Sequence, residues 1–275
     1  MIAGVIRWVE ASYPYAALRR FLDLELLDRS FGLAAQVFVA LLPLVIVVVV
    51  VFTAGDSQLI AEQAIDRFGL AGAAEAAVRA LLTPPSGARA LSWMAVLLVS
   101  LSAFSLARRI SRVYGSIFGL PSLQRSELWR GLVWILLQVA LLAGASFLRT
   151  IHREFGVLGS ALAIVTLLTV WFFGDMAGYR LLVPTVPRRL LVPTAIMSTI
   201  GRVGVGLWSA LYMPATLNSQ AEQYGPIGVT FALFTLILVS VVVNLAAPVI
   251  VTVWDERSSG LAPRVVTPEG GSTLE

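Results

Sequence analysis

Two charged side chains interrupt long apolar stretches of this sequence and are its strongest candidates for chemistry. Asp175 lies in WFFGDMAGYR, near the end of one apolar run, and Arg202 lies in STIGRVGVG, inside the next run. A charge near the centre of a membrane helix costs roughly 2.5–3.5 kcal/mol on insertion scales, so each charge requires a partner or a use. Because only the short link PTVPRRLLVP separates the two runs, the sequence predicts that Arg202 is the partner of Asp175.

Other polar residues lie at a similar depth, within a few turns of the same end of their apolar runs, and are predicted to contact a substrate: Gln36, Ser105, Gln138 and Asn244. The opposite halves of the runs are almost wholly apolar. This distribution predicts a polar cavity that opens toward the cytoplasm. The alternative is a structural ion pair that only holds two helices together, with desolvation offsetting its attraction.

A cluster of arginines follows the second apolar run in SLARRISRVYG and comprises Arg108, Arg109 and Arg112. One interpretation is an anchor on the cytoplasmic side of a membrane, where arginine is enriched. The other is an anion or lipid-headgroup site, because a guanidinium group binds phosphate through two parallel hydrogen bonds. Both interpretations stay open on the sequence alone.

Glycine and proline positions predict close helix contacts and bends. Gly174 and Gly178 have the i, i+4 spacing that lets a neighbouring helix approach closely, although glycine is also simply common in membrane helices. Pro43 predicts a kink in the first apolar run. Roles in packing or bending are also predicted for further glycines: Gly201, Gly204, Gly225 and Gly228.

The elements that must position these residues have the composition of membrane helices. Of 275 residues, 58% are hydrophobic and only 13% are charged, about half the charged share of a soluble domain. A spanning helix needs about 20 mainly apolar residues. Six segments qualify, which predicts an all-α, polytopic protein with six transmembrane helices: 32–54, 88–107, 131–148, 158–183, 194–213 and 224–251.

The arginines predict the orientation of these helices. All 20 basic residues are arginines, and with the N-terminus inside most of them fall on the cytoplasmic side, which predicts that both termini are cytoplasmic. The outer loop 55–87 has apolar residues at helical spacing and is predicted to form one or two amphipathic helices. We expect an amphipathic interfacial segment over 1–30, the six-helix domain over 31–254 and a disordered tail over 255–275.

Several chemical functions are excluded or disfavoured by residue types. Cysteine is absent and His152 is the one histidine, so neither thiol catalysis nor a histidine-rich metal site within the chain is available. The motifs GxxxxGK[ST], GxSxG and HExxH are absent as well. We therefore expect no catalysis, no cofactor, no metal and no nucleic-acid partner. The net charge of +4 is attributed instead to loops that face anionic lipid.

Three stretches, in this order, resemble the YihY/BrkB family of bacterial inner-membrane proteins: AAQVFVALLPLVIVV, SLARRISRVYG and YGPIGVTFALFTLIL. The resemblance covers residues 15–255. It implies six membrane helices with both termini inside, a location in the bacterial inner membrane and a role in transport or lipid translocation. It also implies that the family's former label, ribonuclease BN, is mistaken. The chain departs from the family where FALFTLIL lacks the tryptophan that usually follows the glycines of the last helix.

Together these features predict a non-enzymatic transporter, or a lipid-translocating or envelope-maintenance protein. Its expected partner is membrane lipid, including anionic phospholipid. The alternative function is a structural or scaffold protein of the cell envelope, in which the pair of Asp175 and Arg202 only stabilises the fold.

Overall fold

The computed structural model describes residues 13–52, 61–62, 65–66, 68–82, 92–124, 127–152 and 156–259. Within these ranges the chain forms helices and no strands, so the all-α prediction is confirmed for the described part. The helices are α1 (Tyr13–Asp23), α2 (Leu26–Phe52), α3 (Ala73–Leu82), α4 (Ser92–Phe118), α5 (Leu128–His152), α6 (Gly156–Leu182), α7 (Arg188–Tyr224) and α8 (Pro226–Ser258).

Three helices of the described part are long and apolar enough to cross a membrane, judged by length and composition: α6 over Ala161–Leu182, α7 and α8. Their mean hydropathies are 1.7, 1.5 and 2.6, yet only 17%, 33% and 39% of their most apolar windows are buried inside the protein. Apolar residues that face outward in such numbers need an apolar solvent. This indicates a membrane protein.

Two helices extend beyond their predicted bounds. α7 begins at Arg188, inside the predicted link, and continues through Pro193 and Pro214 to Tyr224. α8 continues to Ser258, so the prediction that residues 255–258 belong to a disordered tail is wrong. Asp255 is buried there, with the Nε atom of Arg189 3.8 Å from its Oδ2 atom. Residues 260–275 of the predicted tail lie outside the described residues.

Two short helices are amphipathic. α1 buries Ala17 and Phe21 against the protein and leaves Leu18 and Leu22 exposed, as expected of a segment between protein, lipid and water. α3 lies in the segment 55–87 and buries one face, which confirms the prediction of an amphipathic helix in that loop.

In the part of the chain that the structure describes, the helices enclose two separate cores. The arginine-end core lies where α4 and α6 end and α7 begins, and its fully buried large side chains include Leu26, Leu33, Ile117, Phe118, Leu182 and Leu190. The turn-side core lies beside the α7–α8 turn and contains Ile65, Leu70, Ala74, Ala77, Val78, Met213, Leu217, Ala221, Val229 and Ala232.

The turn between α7 and α8 depends on glycine. Gly225 has a φ of 61° and a ψ of −143°, a conformation that is essentially restricted to glycine, and its N–H donates to the carbonyl oxygen of Ala221 at 2.9 Å. A Cβ atom added to Gly228 would collide with the carbonyl oxygen of Gln220. Both glycines therefore permit α7 and α8 to pack closely as an antiparallel pair.

Candidate functional site

The predicted pair of Asp175 and Arg202 is present and joins α6 to α7. The Nε–H of Arg202 donates to Oδ2 of Asp175 at 3.3 Å, and an N–H of the Arg202 terminal nitrogen donates to Oδ1. The Asp175 side chain is 6% exposed, whereas that of Arg202 is 32% exposed. The Asp175 carboxylate is therefore nearly enclosed, while part of the Arg202 side chain faces open space.

That open space is a central cavity of about 510 Å³, to which α2, α4, α5, α6, α7 and α8 all contribute side chains. The volume falls in the range of about 300–1,000 Å³ that is typical of small-molecule sites. Most of the wall is apolar, with the indole groups of Trp134 and Trp171 among aliphatic side chains. The polar lining residues are Tyr114, Gln138, Asp175, Tyr179, Arg202, Ser240 and Asn244.

Two buried tyrosines connect the helices beneath the ion pair. The Tyr114 hydroxyl donates to Oδ1 of Asn244, which links α4 to α8. The Tyr179 and Ser198 hydroxyls are hydrogen-bonded at 2.7 Å and link α6 to α7. The two rings lie 4.9 Å apart between centroids. These polar groups are mutually satisfied in a buried setting, which holds the helices in one arrangement.

The sequence did not single out these tyrosines as site residues. Tyr179 lies near the end of α6, where it is buried in the arginine-end core and lines the cavity. One signal was available. Tyr179 follows Asp175 by four residues, a spacing that places both side chains on the same face of a helix.

Among the other predicted site residues, Gln138 and Asn244 line the cavity, whereas Gln36 and Ser105 do not. Gln36 instead donates through Nε2 to the Ser102 carbonyl oxygen at 3.4 Å, between α2 and α4. Ser105 is exposed on the outside of α4. The prediction that these two residues contribute to the cavity is wrong, because depth along a helix does not determine which face a side chain occupies.

The arginine cluster is divided by the fold, and none of its members lines the cavity. Arg109 donates through a terminal nitrogen to the Gly32 carbonyl oxygen at 3.3 Å and fills the space beside that glycine. Arg108 and Arg112 are exposed, one helical turn apart. Arg109 therefore ties α4 to α2, and only the other two present free surface charge.

The predicted glycine contacts hold at three positions on α6 and α7. A Cβ atom at Gly174 would lie 2.5 Å from Cδ1 of Leu141, and one at Gly178 would lie 3.3 Å from Nε1 of Trp134. One at Gly201 would lie 2.6 Å from Cγ1 of Val243. Gly204 faces open space, so the packing role predicted for it is wrong. α2 continues through position 43, whose side chain lies outside the described ones.

The cavity is closed toward the arginine-rich ends of the helices. Beyond Tyr114 on α4 and Tyr179 on α6, the next inward-facing residues are fully buried in the arginine-end core, as Phe118 and Leu182 illustrate. Phe118 packs edge-on against Tyr179, with 6.3 Å between ring centroids. Apolar side chains from several helices therefore meet beneath the polar layer and close the cavity at this end in this conformation. The predicted opening toward the cytoplasm stays a prediction, because which end of the helices faces the cytoplasm is itself a prediction.

Comparisons of the chain with protein-family models, curated proteins and solved structures found no match. In the described ranges, no three His, Cys, Asp or Glu side chains lie close enough together to hold a metal ion. What the fold and the site define is a helical membrane protein with an ion pair in the wall of a largely apolar central cavity.

Proposed function

We propose that the protein is an integral protein of the bacterial cytoplasmic membrane that moves a solute or a lipid without changing it chemically. In this proposal six helices cross the bilayer, both termini lie in the cytoplasm and the chain belongs to the YihY/BrkB family. The three apolar helices, the distribution of the arginines and the ordered family-like stretches support it.

The observation that carries the proposal is the partly exposed Arg202 side chain, a cation in the wall of a largely apolar cavity. Arg202 would bind the charge of the substrate, and Asp175 would orient Arg202. The exposed arginines 108 and 112 would attract anionic phospholipid at the membrane surface. Because the arginine-end core closes one side of the cavity, transport requires that core to open.

The test is flux through the purified, full-length protein in liposomes, measured for labelled lipids and for small solutes. We expect Arg202→Ala and Asp175→Asn each to reduce flux by about ten-fold or more, because charge-assisted hydrogen bonds contribute about 1.5–3 kcal/mol. Arg188→Ala, at an exposed arginine away from the cavity, is the matched control. If both variants transported at the wild-type rate at equal protein content, the proposed roles of Arg202 and Asp175 in transport would be contradicted.

A structural or scaffold role is the second candidate. It is favoured because both carboxylate oxygens of Asp175 accept hydrogen bonds from Arg202. A pair satisfied in this way could act only as a link between α6 and α7. The charge-swapped variant Asp175→Arg/Arg202→Asp separates the two functions. Restored protein level together with restored function supports the structural role, whereas restored level without function supports substrate binding.

A further inference from the structure

The free hydrogen-bonding groups in the cavity are mainly donors. A guanidinium group has five N–H donors, and Asp175 accepts from the Nε–H and from one terminal nitrogen of Arg202. Within the described part of the chain, the remaining donors of Arg202 have no protein acceptor. Among the described residues, the Asn244 amide N–H groups also have no acceptor, since the one bond of this side chain is accepted by its oxygen from Tyr114. A bound molecule would therefore meet donors and a positive edge.

No exposed carboxylate opposes these donors among the described lining residues, because Asp175 is nearly enclosed and both of its oxygens accept from Arg202. A cationic group would have to displace Arg202 to find a partner. Gln138 adds an amide to the same wall and makes no hydrogen bond within the described residues. The polar wall therefore matches an anion better than a cation or a balanced zwitterion.

The cavity is polar at one end and apolar at the other. On α8 the lining runs from Leu236 and Ile237 to Ser240 and Asn244, a distance of about 12 Å at 1.5 Å per residue. On α4 it runs from Leu106 to Tyr114 over the same distance. The polar groups lie at the closed end, above the arginine-end core. An apolar group would extend away from that core.

We propose that the cavity binds an amphiphile with one anionic head, such as a phosphate ester. The head contacts Arg202 and the Asn244 amide at the closed end, and a single apolar chain extends along α8 toward Leu236. The volume of about 510 Å³ suits such a single-chain molecule. This ligand class rests on the proposed function, since it is assigned to the same cavity.

Trp134 and Trp171 line the cavity and report on its contents. The full-length protein is placed in phosphatidylcholine nanodiscs and titrated with three brominated dodecyl probes, whose bromine quenches tryptophan fluorescence. The probes differ only in their head group, which is phosphate, phosphocholine or trimethylammonium. The signal from the cavity is the difference between the wild-type protein and the variant Trp134→Phe/Trp171→Phe. We expect the phosphate-headed chain to quench this signal at about ten-fold lower concentration than the other two.

Two variants test the named contacts. Arg202→Gln/Asp175→Asn removes both charges with little change of shape and should abolish the preference for phosphate. Asn244→Asp still accepts from Tyr114 but adds a negative charge toward the ligand, and should weaken quenching by the phosphate-headed chain about ten-fold. If Arg202→Gln/Asp175→Asn does not fold, Asn244→Asp tests the site on its own. Arg188→Gln is the control and should retain the preference.

Equal quenching by the three heads, or an unchanged preference in the folded variants, would overturn the anionic head. Displacement of the phosphate-headed probe by inorganic phosphate as readily as by unlabelled dodecyl phosphate would overturn the amphiphile and indicate a site for the free anion. If the protein transports a labelled lipid or solute but no probe quenches the cavity tryptophans, the anionic amphiphile is contradicted and the proposed transport function is not. Selective binding with no flux of any labelled lipid would contradict transport and support the ligand class.

Discussion

The arginine-end core and the turn-side core bury apolar side chains in different ways. The first contains large residues, including Phe118 and the tyrosine pair, and is crossed by hydrogen bonds between elements. Ser111 shows this, since its hydroxyl donates to the Leu182 carbonyl oxygen at 2.7 Å and accepts from the Leu123 N–H at 2.9 Å. The second is built mainly from alanine, valine and leucine, and its helices approach closely at glycine.

This difference shows how the molecule supports a charged pair in an apolar setting. Directional hydrogen bonds between helices define one arrangement, and they lie next to the cavity wall that holds Asp175 and Arg202. Small side chains bring backbones together but define an arrangement less strictly. The polar site therefore adjoins the core with cross-helix hydrogen bonds. The following substitutions test this contrast, from the largest expected effect to the smallest.

Asp175→Ala should have the largest effect, because it leaves the partly buried Arg202 side chain without its partner. Loss of one partner of a buried ion pair costs about 3–5 kcal/mol in the free energy of unfolding. The double variant Asp175→Asn/Arg202→Gln should recover most of this loss. Thermal unfolding of the purified protein in detergent measures both, and equal destabilisation of the single and double variants would contradict the contribution of the pair.

Ser111→Ala should destabilise the protein by about 1–3 kcal/mol, because it leaves the buried Leu182 carbonyl oxygen and the partly buried Leu123 N–H group without their partner. Ser209→Ala is the matched variant on α7, away from the arginine-end core. Its hydroxyl is also buried but donates only to Gly206 in its own helix, at 2.9 Å. We expect a clearly smaller loss there. Equal losses in urea unfolding would remove the contrast between the two regions.

Gly225→Ala should cost about 1–2 kcal/mol, since a residue with a Cβ atom is strained at a φ of 61°. Gly204→Ala, within α7, is its control. It adds a methyl group in open space and should be neutral or stabilise by up to about 1 kcal/mol through helix propensity. Both changes are compared by their unfolding temperatures. A stabilising Gly225→Ala would contradict the turn geometry.

Tyr13→Phe should have the smallest effect, about 0.5–1.5 kcal/mol, by removing the hydrogen bond from the Tyr13 hydroxyl to the Ile250 carbonyl oxygen. Burial raises the pKa of Tyr13 above its ordinary value of 10.0, and the positive charge of Arg257 partly opposes this shift. Because the folded-state pKa is the higher one, this stabilisation is complete below pH 10 and is lost as the pH rises through the folded-state pKa. Ultraviolet titration of wild-type and Tyr13→Phe protein measures it. A phenol in the difference spectrum that titrates at or below 10.0 would contradict the contact.

The helical class and the central ion pair could be predicted from the sequence because both depend on local information. A backbone in lipid must satisfy its hydrogen bonds within each segment, so long apolar runs form helices, even through the valines of α2. Asp175 and Arg202 are separated by one short link, so adjacent antiparallel helices bring them together. Gln138 and Asn244 were also located correctly in the cavity.

Only the tertiary structure decided which face of each helix points inward and which end of the cavity is closed. Ser105 and Gly204 face outward, while Tyr114 and Tyr179 face inward. The apolar runs do not distinguish them, because Ser105, Gly204 and Tyr179 all lie within such runs and Tyr114 follows one. The rotation of a helix about its axis depends on packing against helices that are distant in sequence. The closed end is likewise formed by side chains from α2, α4, α6, α7 and α8 together. No single segment of the sequence shows that these side chains meet.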